Sequence, residues 1–196
     1  MPVRLNGSTS GYVELGAPAV AGTTVLELPT DSIKPGMVLV ASQSFSAVSS
    51  VSINNCFSAT YDNYRIVCDY TTGTSGGIVT NFRFRTASTD NTAAVYQLRG
   101  ADVGALTSIS LNDQNLAAMT TARDGGNAMV LDVVNPFATR YTHCPFSVHS
   151  ATITVIALAR FGVMSHLSAT SFDGFSIISA SSTITGTVRV YGLRNS

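Results

Sequence analysis

The sequence is short of charge. Charged residues make up 11% of its 196 positions, against about 25% in a typical soluble domain. Lys34 is the sole lysine, Glu14 and Glu27 are the sole glutamates, and the formal net charge is zero. This balance argues against a nucleic-acid binder, which needs a basic patch to displace counterions. It also bears on the surface, since a lone monomer advertises more charge for solubility. Either Ser and Thr coat the exposed strand faces, or much of the surface lies inside a permanent assembly, where charge is depleted.

Long apolar runs are lacking as well. The longest, Val155-Ile156-Ala157-Leu158-Ala159, falls far below the roughly 20 residues a helix needs to cross a bilayer, so no membrane insertion is expected. Met1-Pro2-Val3-Arg4 leads into turn-like polar sequence rather than a secretory leader, and synthesis in a cytoplasm is the expectation. Cysteine is scarce: Cys56, Cys68 and Cys144 are odd in number and match no close metal spacing. Cys56 and Cys68 flank one turn and are able in principle to pair, but Cys68 falls on the apolar face of its strand, which favours buried free thiols.

Helical periodicity is missing too, apart from a short turn around 115–121. What is present is alternation. In the stretch from Asn63 to Tyr70, Tyr64, Ile66, Cys68 and Tyr70 take one face, and Arg65, Val67 and Asp69 the other, the pattern of a half-buried strand. The same reading predicts strands near 37–45, 47–54, 63–70, 78–86, 93–99, 126–134, 141–149, 152–161, 163–170, 174–180 and 184–192, joined by Gly-, Asn- and Asp-bearing turns. Many short strands at even spacing predict an all-β fold, an antiparallel jelly-roll-like β-sandwich. Phe82 and Phe84 point to its core with Arg83 and Arg85 outside; Val188 and Val190 point in, with Arg189 and Tyr191 out. Were these two strands neighbours, Arg83, Arg85, Arg189 and Tyr191 would share an interface-like outer face.

Residues 1–41 differ in texture from 42–196. A flexible opening, Gly7-Ser8-Thr9-Ser10-Gly11, precedes two strand-like pieces, Tyr12–Leu15 and Thr24–Leu28. An isolated hairpin is marginal in water, so this short N-terminal β-hairpin arm needs a surface to lie on. The turn Asp31–Gly36 hands the chain to the main domain.

Catalytic motifs are thin. Gly73-Thr74-Ser75-Gly76-Gly77 matches G-x-S-x-G, but a nucleophile elbow needs a helix after it, and the sequence here predicts a strand and a glycine-rich hairpin loop. His143 and His149 share a strand face roughly 20 Å apart, too far for one metal, and Cys144 points away from His143. Asp62, Asp90, Asp113, Asp124 and Asp173 fall in turns, where aspartate bonds backbone. No calcium loop or phosphate loop is present, and no cofactor is expected. Tyr61 and Tyr64, with Phe137 and Tyr141 flanking Arg140, are candidates for stacking on a sugar or anchoring a partner; the competing reading places alternate aromatics in the core.

Asn6–Leu15, Ala17–Thr24 and Leu28-Pro29 resemble an element of tailed-bacteriophage structural proteins that precedes fibre or decoration domains. Phe57–Ile66, Phe82–Arg85 and Ile184–Gly192 resemble small phage virion β-sandwich domains. The resemblance implies a non-enzymatic virion component assembled in the host cytoplasm. It also implies a homo-oligomer, with a trimer favoured, attached to major capsid or tail proteins through arm residues Tyr12, Val13, Leu15, Val25, Leu26 and Leu28. Capsid decoration or a head fibre is the first expectation. A tail fibre or adhesin binding host-surface glycan through the Tyr61/Tyr64 loop and the arginine face is the second. An esterase using Ser75 is the third.

Overall fold

A computed structural model describes residues 3–6, 12–15, 36–74, 77–103, 107–151 and 158–194. The chain divides into two compact units, Met1–Lys34 and Pro35–Ser196. In the first, β1 (Val3–Asn6) pairs antiparallel with β2 (Tyr12–Leu15). The sequence pattern missed β1, and the second arm strand it predicts, Thr24–Leu28, lies outside the described residues.

The second unit begins at Pro35, so residues 37–41, assigned from sequence to the arm, belong to its first strand. It contains β3 (Met37–Val48), β4 (Ser50–Ile53), β5 (Asn63–Thr72), β6 (Ile78–Thr86), β7 (Thr89–Asp90), β8 (Tyr96–Asp102) and β9 (Thr107–Gln114). There follow β10 (Ala117–Ala122), β11 (Gly126–Val134), β12 (Arg140–Ala151), β13 (Leu158–Thr170), β14 (Gly174–Ser179) and β15 (Ile184–Leu193). Every strand pairing among the described residues is antiparallel. The larger sheet runs β3-β15-β5-β11-β12-β13-β8-β9, and the smaller runs β10-β6-β14-β4, with β7 on β6.

Eight of these strands nest: β3 pairs β15, β4 pairs β14, β5 pairs β11 and β6 pairs β10. First joins last, second joins second-last, and successive pairs alternate between the two antiparallel sheets of a β-sandwich. Two inserted hairpins, β8–β9 and β12–β13, extend only the larger sheet. β5 and β6 lie in different sheets, so they do not form the hairpin predicted for them.

Alternation supplies one core. From the larger sheet come Tyr64, Ile66, Cys68, Met129, Leu131, Val133, Cys144, Val148, Val188 and Val190; from the smaller come Val51, Ile53, Phe82, Phe84, Met119, Phe175 and Ile177, all buried. Phe84 stacks on Phe172 at 4.5 Å, and Phe82 on Phe175 at 5.3 Å. Burying each such ring contributes about 1.5–3 kcal/mol, and Phe84 also stacks at 6.3 Å on Tyr96 of β8, joining the smaller sheet to the larger. At the β6–β7 hairpin, Ala87 and Ser88 both take left-handed backbone (φ 47° and 65°). A two-residue turn of this hand matches sheet twist and is usually made with Asn-Gly.

Candidate interaction surfaces

The face of the larger sheet turned away from the core is the broadest surface the alternation creates. One row across it reads Arg189, Val67, Val130, Ser147, Phe161 and Ala101 on successive strands. In the next row Tyr191 stands beside Arg65 and Arg65 beside Asp132, while Pro145 stands beside Val163 and Val163 beside Arg99. Charge in the middle of this face cancels internally. Arg65 Nε donates to Asp132 Oδ1 at 2.7 Å and Nη2 to Oδ2 at 2.8 Å, a two-point pair that fixes both side chains and raises the guanidinium pKa further. Phe161 is 45% exposed and meets His149 edge-on at 5.5 Å. His143 Nδ1 lies 2.9 Å from Ser165 Oγ. A groove of about 380 Å³ runs between Arg65, Asp132, Val130, Pro145, Ser147 and Phe161. The result is an apolar patch of Val67, Val130, Pro145, Phe161 and Val163 around one self-satisfied ion pair, flanked by the exposed Asp69, Arg99 and Arg189.

The predicted arginine face does not form. β6 lies between β10 and β14 in the smaller sheet, whereas β15 lies between β3 and β5 in the larger. Arg83 and Arg85 therefore sit on the opposite side of the sandwich from Arg189 and Tyr191: alternation tells in from out, but not which sheet a strand joins. Nor do the β6 arginines simply solvate their strand. Arg85 pairs with Asp90 and the Ser88 carbonyl, and donates to Asn54 Oδ1 at 2.9 Å, Ser52 Oγ at 3.1 Å and Ser176 Oγ at 2.8 Å. Arg83 Nε donates to the Asn115 carbonyl at 2.9 Å. Arg189 is exposed and Tyr191 half-buried.

Tyr64 is also not a recognition residue. It is fully buried; its hydroxyl accepts from Ser58 N at 2.8 Å and lies 3.0 Å from the Ser58 carbonyl. It shares its strand face with Ile66 and Cys68, so core packing claims it. Tyr61 is half-buried, edge-on to Tyr64 at 5.9 Å, over Gly192, where a Cβ would come within 2.3 Å of the ring. With Ser58, Asp62, Asn135 and Phe137 it lines a cleft of about 270 Å³ at one end of the sandwich. Phe137 and Tyr141 are exposed, at 40% and 53%.

Of the arm residues, Tyr12, Val13 and Leu15 lie on β2, while Val25, Leu26 and Leu28, like Ser75, lie outside the described residues. His166 faces the core, ringed by Phe84, Tyr96 and Phe172, and burial lowers its pKa. Cys56, Cys68 and Cys144 are buried free thiols; burial pushes the first two up to about 12. No cluster of three metal-ligating side chains occurs among the described residues.

Sequence reasoning missed the outer wall on β11–β13. The signal was there: Met129-Val130-Leu131-Asp132-Val133-Val134 breaks polar alternation, as strands covered on both faces do. Among known proteins, no family model matches the chain and no curated protein is significantly similar to it.

Proposed function

We propose that the chain is a non-enzymatic structural protein of a tailed-bacteriophage virion. Residues 1–34 attach it to major capsid or tail proteins, and the sandwich is displayed as a homo-oligomer, a trimer by the resemblance. Capsid decoration or a head fibre is the preferred placement, with the virion assembled in the host cytoplasm. The observation carrying this reading is the outer wall of the larger sheet. Val67, Val130, Pro145, Phe161 and Val163 lie around an ion pair that needs no outside partner, a composition suited to permanent contact. The charge-poor sequence favours the same reading, and the phage assignment rests on the arm motif. An antibody against the chain should decorate the heads of phage particles made by a host carrying its gene. Failure to label any particle would overturn the proposal.

A second reading is favoured by the cleft of Tyr61, Asp62, Asn135 and Phe137. An aromatic wall beside a carboxylate and an amide is able to stack on a sugar ring and bond its hydroxyls. An adhesin binding host-surface glycan would give clear signals on a glycan array, lost in Tyr61→Ala, and antibody label on the tail.

A further inference from the structure

Four strands end the two sheets: β3 and β9 in the larger, β4 and β10 in the smaller. A bare edge is a template for another chain, and proteins blunt it with charge, proline, brevity or irregularity. β4 has four residues. β10 has six, and its register against β6 breaks between Ala118 and Thr120. β9 carries Asp113 in left-handed backbone (φ 51°). β3 also has a left-handed residue, Ala47 (φ 49°), near its end, but its twelve residues contain no charge and no proline. Met37, Leu39 and Val40 are 41%, 53% and 37% exposed. Among the described residues, only β15 pairs with it. Register shifts against β15 fall at either end of β3 and leave Ala41–Phe45 as a regular window between them.

We propose that β3 pairs edge to edge with β3 of a second copy, antiparallel about a two-fold axis at Gln43. In such a self-paired contact each residue meets its mirror position, and a charge at the centre would meet its own kind. β3 carries none. Centred on Gln43, the pairing within the regular window sets Gln43 against Gln43, Ser42 against Ser44 and Ala41 against Phe45. Amide meets amide, hydroxyl meets hydroxyl, and small meets large. It joins two eight-stranded sheets and satisfies edge backbone groups. The inference rests on the oligomeric part of the proposed function and makes the copy number even: a dimer if this is the sole contact, a hexamer if it joins trimers.

The test is sedimentation equilibrium of the full chain. Gln43→Lys sets like charges opposite each other and should raise the dissociation constant about fivefold, as should Gln43→Glu. An equimolar mixture of the two should recover wild-type affinity, because the charges then attract. Gln43 is exposed, so an unchanged circular dichroism spectrum checks that each variant folds. An even-numbered wild-type assembly with this weakening and recovery supports the pairing. A Gln43→Lys variant of unchanged affinity, or a mixture that does not recover, overturns it. A wild-type trimer indifferent to Gln43→Lys overturns the pairing and leaves the proposed function standing; a wild-type monomer overturns both.

Discussion

Replacing Arg85 by Ala should destabilise the sandwich by about 2–4 kcal/mol. The sequence alone places Arg85 outside the core, where an ion pair contributes roughly 0–1 kcal/mol. The structure changes the estimate because the Arg85 side chain is 13% exposed and that of its partner Asp90 24%. The guanidinium also ties Ser52 on β4, Asn54 just after it, and Ser176 on β14 to β6. A hydrogen bond to a charged group contributes about 1.5–3 kcal/mol net. Losing the Asp90 bond costs that much, and losing the bonds the same guanidinium donates to Ser52, Asn54 and Ser176 adds to it. Ser176 Oγ, which donates to Asp90 Oδ1 at 2.7 Å, and entering water recover part. Arg189→Ala, on an exposed site, should stay within about 0.5 kcal/mol. Urea unfolding followed by circular dichroism, at matched protein concentration and pH 7, reads both. The Arg85→Ala/Asp90→Ala cycle should show about 1–3 kcal/mol of coupling. A loss below about 1 kcal/mol for Arg85→Ala, or no coupling, would refute the network argument.

Ser88→Gly should stabilise the fold by about 0.5–1 kcal/mol, since glycine occupies left-handed backbone without steric cost; a lower urea midpoint would contradict this. The three thiols should resist a thiol-reactive disulfide at pH 8 until the protein is unfolded, because burial disfavours the thiolate at each; fast labelling of the native chain would show that a cysteine is accessible. His166 has its pKa lowered from an ordinary value near 6.5, so the unfolded chain takes up the proton first. Stability is full above that value and falls as pH drops through it, by at most about 1.4 kcal/mol per unit from this group. His166→Gln should flatten the decline, and an unchanged pH profile would rule the group out.

Strand positions were largely legible because alternation is local. Asn63–Thr72, Ile78–Thr86, Gly126–Val134 and Ile184–Leu193 fall where Tyr64, Phe82, Leu131 and Val188 predict buried faces. β9 and β10 were missed for a physical reason. Thr107–Gln114 is a polar edge strand whose inner face is only the half-buried pair Ile109 and Leu111, and Ala117–Ala122 fills its face with small residues and one Met, so neither shows a long apolar alternation. The sequence reading broke β13 near Gly162, but the strand continues because Gly162 lies opposite Gly100, where a Cβ would meet backbone at 2.3 Å. Strand order is a long-range property, which is why the Arg83/Arg85/Arg189 face could not be assembled from parity. Tyr64 was decidable from its alternation with Ile66 and Cys68; of the outer wall only the Met129–Val134 run was legible, because the rest is gathered from β5, β12 and β13.

The most direct test of the central claim, that this is a subunit built for permanent assembly, is light scattering of the purified chain over a range of concentrations. The account predicts a stable mass at a multiple of 20.5 kDa, held on dilution, because the apolar patch around the Arg65–Asp132 pair is covered by other copies. A clean monomer at high concentration would contradict it and shift the weight to the glycan-binding cleft around Tyr61.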